Sequence, residues 1–179
     1  MPLLLRTLRL DPSDTVIFPL AADPGEWAVP GGFRFWDDAP DTLSGQRRQA
    51  FRAGFLGLAS AGWSTLVEVA EADAAEREAA LGALAALIRR EHGAPDDAAA
   101  RRAAEDELGF AQSLCGHPPG TVLALTRRLE GDEVREAFRT LRRRETPHRD
   151  FGALPVFAIA EVAEDAAPER PDLTRLPPR

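Results

Sequence analysis

The stretch Phe51–Ala70, FRAGFLGLASAGWSTLVEVA, decides the reading of the fold, because it gathers apolar bulk together with three of the chain's 14 glycines. From Trp63 onward, Trp63, Thr65, Val67 and Val69 alternate with Ser64, Leu66 and Glu68, residue types that suit a pleated, half-buried backbone. One strand is expected there, and Leu66, apolar on its second face, places that strand inside a sheet rather than at an edge. Gly54, Gly57 and Gly62 read as a helix end followed by a bend. Trp63 shares a face with two valines and is expected to be a buried anchor against helices led by Leu84 and Leu108.

Toward the N-terminus, Leu3–Leu10 alternates as a strand ending at Asp11-Pro12, and Asp14–Phe18 reads as a short strand limited by Pro19. Turns at Asp23-Pro24-Gly25 and Pro30-Gly31-Gly32 bracket Glu26–Val29 and precede Phe33–Trp36, which predicts an aromatic hairpin holding Trp27, Phe33, Arg34, Phe35 and Trp36. Asp41 or Thr42 is the expected N-cap of a helix whose apolar stripe includes Leu43, Ala50 and Phe51.

Toward the C-terminus, Asp73 with Glu76 forms a capping-box pattern ahead of Leu81, Leu84, Leu87 and Ile88, and Gly93-Ala94-Pro95 stops that helix. Asp96 caps a third helix with Ala100, Ala104, Leu108, Ala111 and Cys115 on one stripe and Phe110 and Leu114 on its flank. Thr121–Leu129 resumes strand character. Across Glu130-Gly131-Asp132, Glu133–Leu141 fits either a second hairpin arm or a helix, and the glycine turn favours the hairpin. Pro155–Val162 reads as a last strand. The predicted architecture is α+β, a mostly antiparallel sheet with two or three helices on one face. It occupies 1–162 as one domain, and 163–179 is a flexible, proline-rich tail.

Composition narrows the function. The 179 residues carry a net charge of -7, which opposes a dedicated nucleic-acid binder. The Arg142, Arg143, Arg144 run reads as a solvated element end. All 22 basic residues are arginine and there is no tyrosine, so Schiff-base, Walker A and phenolic chemistries drop out. Arg6 and Arg9 break the leading apolar run short of a signal peptide, a single cysteine forms no internal disulfide, and the expected setting is the cytoplasm, with no membrane partner and no cofactor.

Two groups of residues remain as candidates. Cys115 and His117 could pair as nucleophile and base, or join Arg34 in a ligand site, but Cys115 falls in a helix's last turn, where the dipole disfavours a thiolate. A structural role is preferred, and with only His92 and His148 besides, no zinc spacing exists. The acidic clusters Asp37-Asp38, Asp96-Asp97 and Glu105-Asp106-Glu107 read as loop, cap and solvated helix face. The aromatic group offers the other surface, with Trp27, Arg34 and Trp36 as candidate binding residues.

The segments RLDPSDT (9–15), PGEWAVPGGFRFW (24–36), FRAGFLG (51–57), GWSTLVEV (62–69), SLCGHPPGT (113–121) and FRTLR (138–142) resemble a family of small bacterial proteins of unknown function over roughly residues 3–145. The resemblance brings no catalytic residues. It implies a place near genes for redox-enzyme maturation; the missing catalytic constellation and the aromatic hairpin make a non-enzymatic accessory protein with a protein partner the expectation, with an enzyme or small-ligand binder around Cys115, His117 and Arg34 as the alternative.

Overall fold

The computed structural model describes residues 1–143 and 159–162. Eight strands form one antiparallel sheet: β1 (Leu3–Leu8), β2 (Trp27–Val29), β3 (Phe55–Gly57), β4 (Trp63–Ser64), β5 (Leu66–Glu71), β6 (Val122–Glu130), β7 (Glu133–Arg143) and β8 (Ile159–Val162). Their spatial order is β4-β3-β2-β1-β5-β6-β7-β8. Four helices join them: α1 (Asp14–Ile17), α2 (Gly45–Ala53), α3 (Ala74–His92) and α4 (Asp97–Ser113). The α+β class holds.

Local signals place the long helices. Asp73 and Glu76 close a reciprocal capping box on α3, whose C-cap Gly93 is left-handed at φ 65°. Asp96 accepts the Ala99 N–H at 2.7 Å to start α4. Leu81, Leu84, Leu87 and Ile88 on α3, and Ala100, Ala104, Leu108 and Ala111 on α4, are buried as their spacing predicts. The hairpin reading of Glu133–Leu141 is also right: β7 pairs with β6 from Glu130↔Glu133 to Val122↔Leu141.

Directly paired residues share a face of the sheet, so the register Leu5↔Val69, Thr7↔Val67, Val67↔Leu123 and Leu125↔Phe138 defines one continuous inner face. That face curls. In a flat sheet Phe55 on β3 and Phe138 on β7, five strand spacings apart, would be separated by about 24 Å. Their ring centroids are 6.3 Å apart. Phe110 of α4, partly exposed, lies edge-on to Phe138 at 5.9 Å.

Four expectations need correction. The single strand over Trp63–Val69 is two strands: β4 lies at the sheet's edge and β5 at its centre. Asp14, buried on α1, accepts the Thr65 hydroxyl at 2.5 Å and the Thr65 N–H at 3.2 Å, diverting the chain between them. Asp14–Phe18 is accordingly a helical turn, not a strand. The aromatic hairpin does not exist: β2 pairs with β1 and β3, while Gly32–Phe35 forms a 3-10 turn. Gly31 starts that turn at φ 74°, and a Cβ there would lie 2.5 Å from Leu56 Cβ. Finally, α2 begins after Ser44, and Asp41 and Thr42 belong to a separate 3-10 turn. Residues 155–158 of the predicted last strand, Arg144 and the predicted tail lie outside the described residues.

Trp63 is buried, in the one core cluster that also holds Leu84 and Leu108, and it has two close neighbours that the sequence did not suggest. Its ring lies 5.1 Å from Phe35 and against the Gly54 backbone, where an added Cβ would come within 2.8 Å of it. Trp63→Ala should therefore open a cavity between β4 and the 3-10 turn. We expect a loss of about 3–5 kcal/mol in a urea melt, and a loss below about 1 kcal/mol would contradict the anchoring role.

Candidate functional site

Among the described residues, the most unusual buried group is Arg127 on β6, 1% exposed. Its guanidinium donates to Phe51 O at 3.1 Å and Gly54 O at 3.0 Å, carbonyls at the C-terminal end of α2, and also to Pro30 O ahead of the 3-10 turn. Its Nε meets Glu136 Oε1 at 2.6 Å, the residue directly opposite on β7. Five rigidly forked donors make this possible; an ammonium could not serve so many separated acceptors in one plane. Removing one member of a fully buried pair typically costs about 3–5 kcal/mol, and less is expected here because Glu136 is 22% exposed.

Above this staple lies a cleft of about 330 Å³. Phe33, Trp36, Phe110 and Val134 supply its apolar lining, and Glu107 and Glu136 its carboxylates. Pro30 and Gly32 complete the wall. Trp36 is 79% exposed, Val134 47% and Phe110 41%, so the rim is apolar and open to solvent. Glu107 reaches inward from α4 and accepts the Gly31 N–H at 3.0 Å. Burial pushes its carboxyl above the usual range, with Glu136 adding to the shift and the Gly31 hydrogen bond and Arg127 opposing it.

Of the candidate binding residues Trp27, Arg34, Trp36, Cys115 and His117, only Trp36 lines this cleft. Trp27 sits half-buried on β2. Arg34 is tied to the end of α3, paired with Glu91 and 3.3 Å from His92 Nε2. Burial and the neighbouring Arg34 hold His92 below the usual imidazole range, while Asp37 pulls the other way. Cys115 is buried, donates to Ala111 O at 3.4 Å and is pushed up to about 11 by burial, so its thiolate is scarce near neutrality. His117 is half-buried two residues on. Cys115 and Arg34 share no hydrogen-bond partner among the described residues, which also contain no group of three or more His, Cys, Asp or Glu placed to hold a metal.

Glu107 corrects the reading of Glu105-Asp106-Glu107 as a solvated face. Glu105 and Asp106 are exposed, but Glu107 is half-buried. The signal was present: Glu107 follows Ala100 by seven residues and precedes Ala111 by four, which sets it on the border of the buried stripe. Nothing local marks Glu136, whose place depends on pairing with Arg127.

The architecture and cleft define an α+β protein with an acidic, aromatic-rimmed recess and no helix, among the described residues, long and apolar enough to cross a membrane. The chain belongs to DUF6505, a family of unknown function, whose pattern matches residues 1–160. No curated protein and no solved structure matches it.

Two outcomes check this geometry. Glu107's raised folded pKa contributes stability that is complete below its unfolded value near 4.5 and is lost as pH rises through the folded value. Glu107→Gln, which keeps an acceptor for Gly31, should thus match the wild type near pH 4 and gain relative to it by pH 7 in paired denaturation curves. A relative loss at pH 7 would refute the assignment. Iodoacetamide should alkylate Cys115 more slowly than free glutathione at pH 7.5, and a faster reaction would revive a thiol-based site.

Proposed function

We propose that the protein is a cytoplasmic accessory module that works by binding another protein rather than by catalysis, and that the cleft and its rim are the docking surface. The observation supporting this most directly is Trp36. Phe33 and Phe35 on the same short turn are buried, while the Trp36 indole stands in solvent with Phe33 edge-on at 6.3 Å. Leaving a large apolar side chain exposed forgoes about 1.5–3 kcal/mol of burial, a cost a binding role accounts for. Aromatic anchors beside a recess are the commonest centres of binding energy at protein interfaces.

The test is affinity capture from a native extract, with wild type and Trp36→Ala compared in parallel. A stoichiometric partner held by the wild type and lost by the variant is expected, and its identity would show whether it serves redox-enzyme assembly. Trp36→Ala should cost under about 2 kcal/mol in stability, so that loss of capture is not loss of fold. Failure to recover a partner, or equal recovery by the variant, would remove the proposal.

A further inference from the structure

We infer that the cleft receives a single basic side chain, the guanidinium or ammonium group of an arginine or lysine presented by the partner's polypeptide. This rests on the docking role above and specifies its chemistry. Three observations converge on it. First, the cleft is lined by acids and by no basic residue: Glu136 is balanced by the fully buried Arg127, which spends its donors on it and on three carbonyls, and Glu107 adds a carboxylate without an ion pair. Second, Glu107 is underused: its one hydrogen bond among the described residues comes from a neutral backbone N–H. Arg127 attracts that carboxylate without a hydrogen bond to it, so an arriving cation would give it a directly bonded charged partner, and burial would strengthen the attraction.

Third, the walls are aromatic. Phe33, Trp36 and Phe110 stand around the carboxylates, and ring faces attract cations through their quadrupole. Other occupants fit less well. An anion would meet the Glu107 carboxylate, and a purely apolar group would desolvate it without compensation. The volume also matters: about 330 Å³ is at the small end of ligand sites, enough for one long side chain with its aliphatic stem against the rim. The stem of arginine or lysine is itself apolar, so Trp36 and Val134 would cover it while its head reaches the acids.

The chain has three tryptophans, so the Trp36 indole N–H gives one of three resolvable resonances, identified by its loss in Trp36→Phe. The probes are short blocked glycine peptides carrying one central arginine, lysine, glutamine or glutamate, together with methylguanidinium alone. The arginine and lysine peptides should move the Trp36 resonance saturably, and the glutamate peptide should not. Glu107→Gln should weaken that binding about tenfold or more. Glu136→Gln is unsuitable because it strips Arg127 of its counter-charge; Glu107→Gln keeps the Gly31 hydrogen bond.

The inference is overturned by any of four results: no saturable shift with the basic peptides, equal binding of the glutamine or glutamate peptide, indifference to Glu107→Gln, or binding of methylguanidinium as tight as that of the peptides. The last result would mean a free small cation rather than a partner's side chain. In the capture experiment, a partner lost by Trp36→Ala but kept by Glu107→Gln would leave the docking role standing and sink the cationic one. Loss from both variants supports the two together.

Discussion

Arg127 holds the molecule's two sides together. A curled sheet must be kept from opening, and here the far end of β6 is bound to carbonyls at Pro30, Phe51 and Gly54, three points on the opposite side of the curl. Each carbonyl would otherwise be a buried acceptor without a donor, at about 1–3 kcal/mol apiece. Glu136 balances the charge from the neighbouring strand, and Phe35 lies 5.9 Å beneath the guanidinium. A chain whose cations are all arginine is well suited to this arrangement, since the planar fork can serve four acceptors without moving.

Long-range contacts of this kind separate the parts of the fold that were legible in sequence from those that were not. The helices α3 and α4 announce themselves through contacts no more than four residues apart: Asp73 with Glu76, Asp96 with Ala99, and apolar stripes at helical spacing. The β6–β7 hairpin is equally local, turning at Gly131. The misread segments are those decided at a distance. Trp63–Val69 alternates perfectly and would run on as one strand but for Asp14, 51 residues earlier. Phe33–Trp36 carries strand-like residues, but Pro30 and Gly31 are held by Arg127 and Glu107, 97 and 76 residues later, and the chain between the strands coils instead.

The cleft was half legible for a related reason. Trp36 drew notice because an aromatic cluster is conspicuous in any sequence, and its exposure follows from the coil that replaces the predicted hairpin. Glu107 and Glu136 were hidden. One sits in a run of three acids that reads as surface, and the other in a strand of mixed charges whose facing partners only the register reveals. Arg34 and Cys115 were plausible as chemistry, but Arg34 ties the 3-10 turn to the end of α3, and Cys115 is a core residue bonded back to α4.

The distance spanned by Arg127 also sets an order of events. During synthesis, β1 to β4 and α2 emerge long before residue 127, so their curl cannot close when they first pair. The carbonyls of Pro30, Phe51 and Gly54 can receive the Arg127 guanidinium only once β6 is made and docks. Contacts of such long sequence separation form late and slowly, because the entropy of closing the intervening loop is lost before any of them is gained. The recess beside Trp36 thus comes into being with the final closure, and a chain halted before β7 would have the indole but neither Glu136 nor the wall that makes it a site.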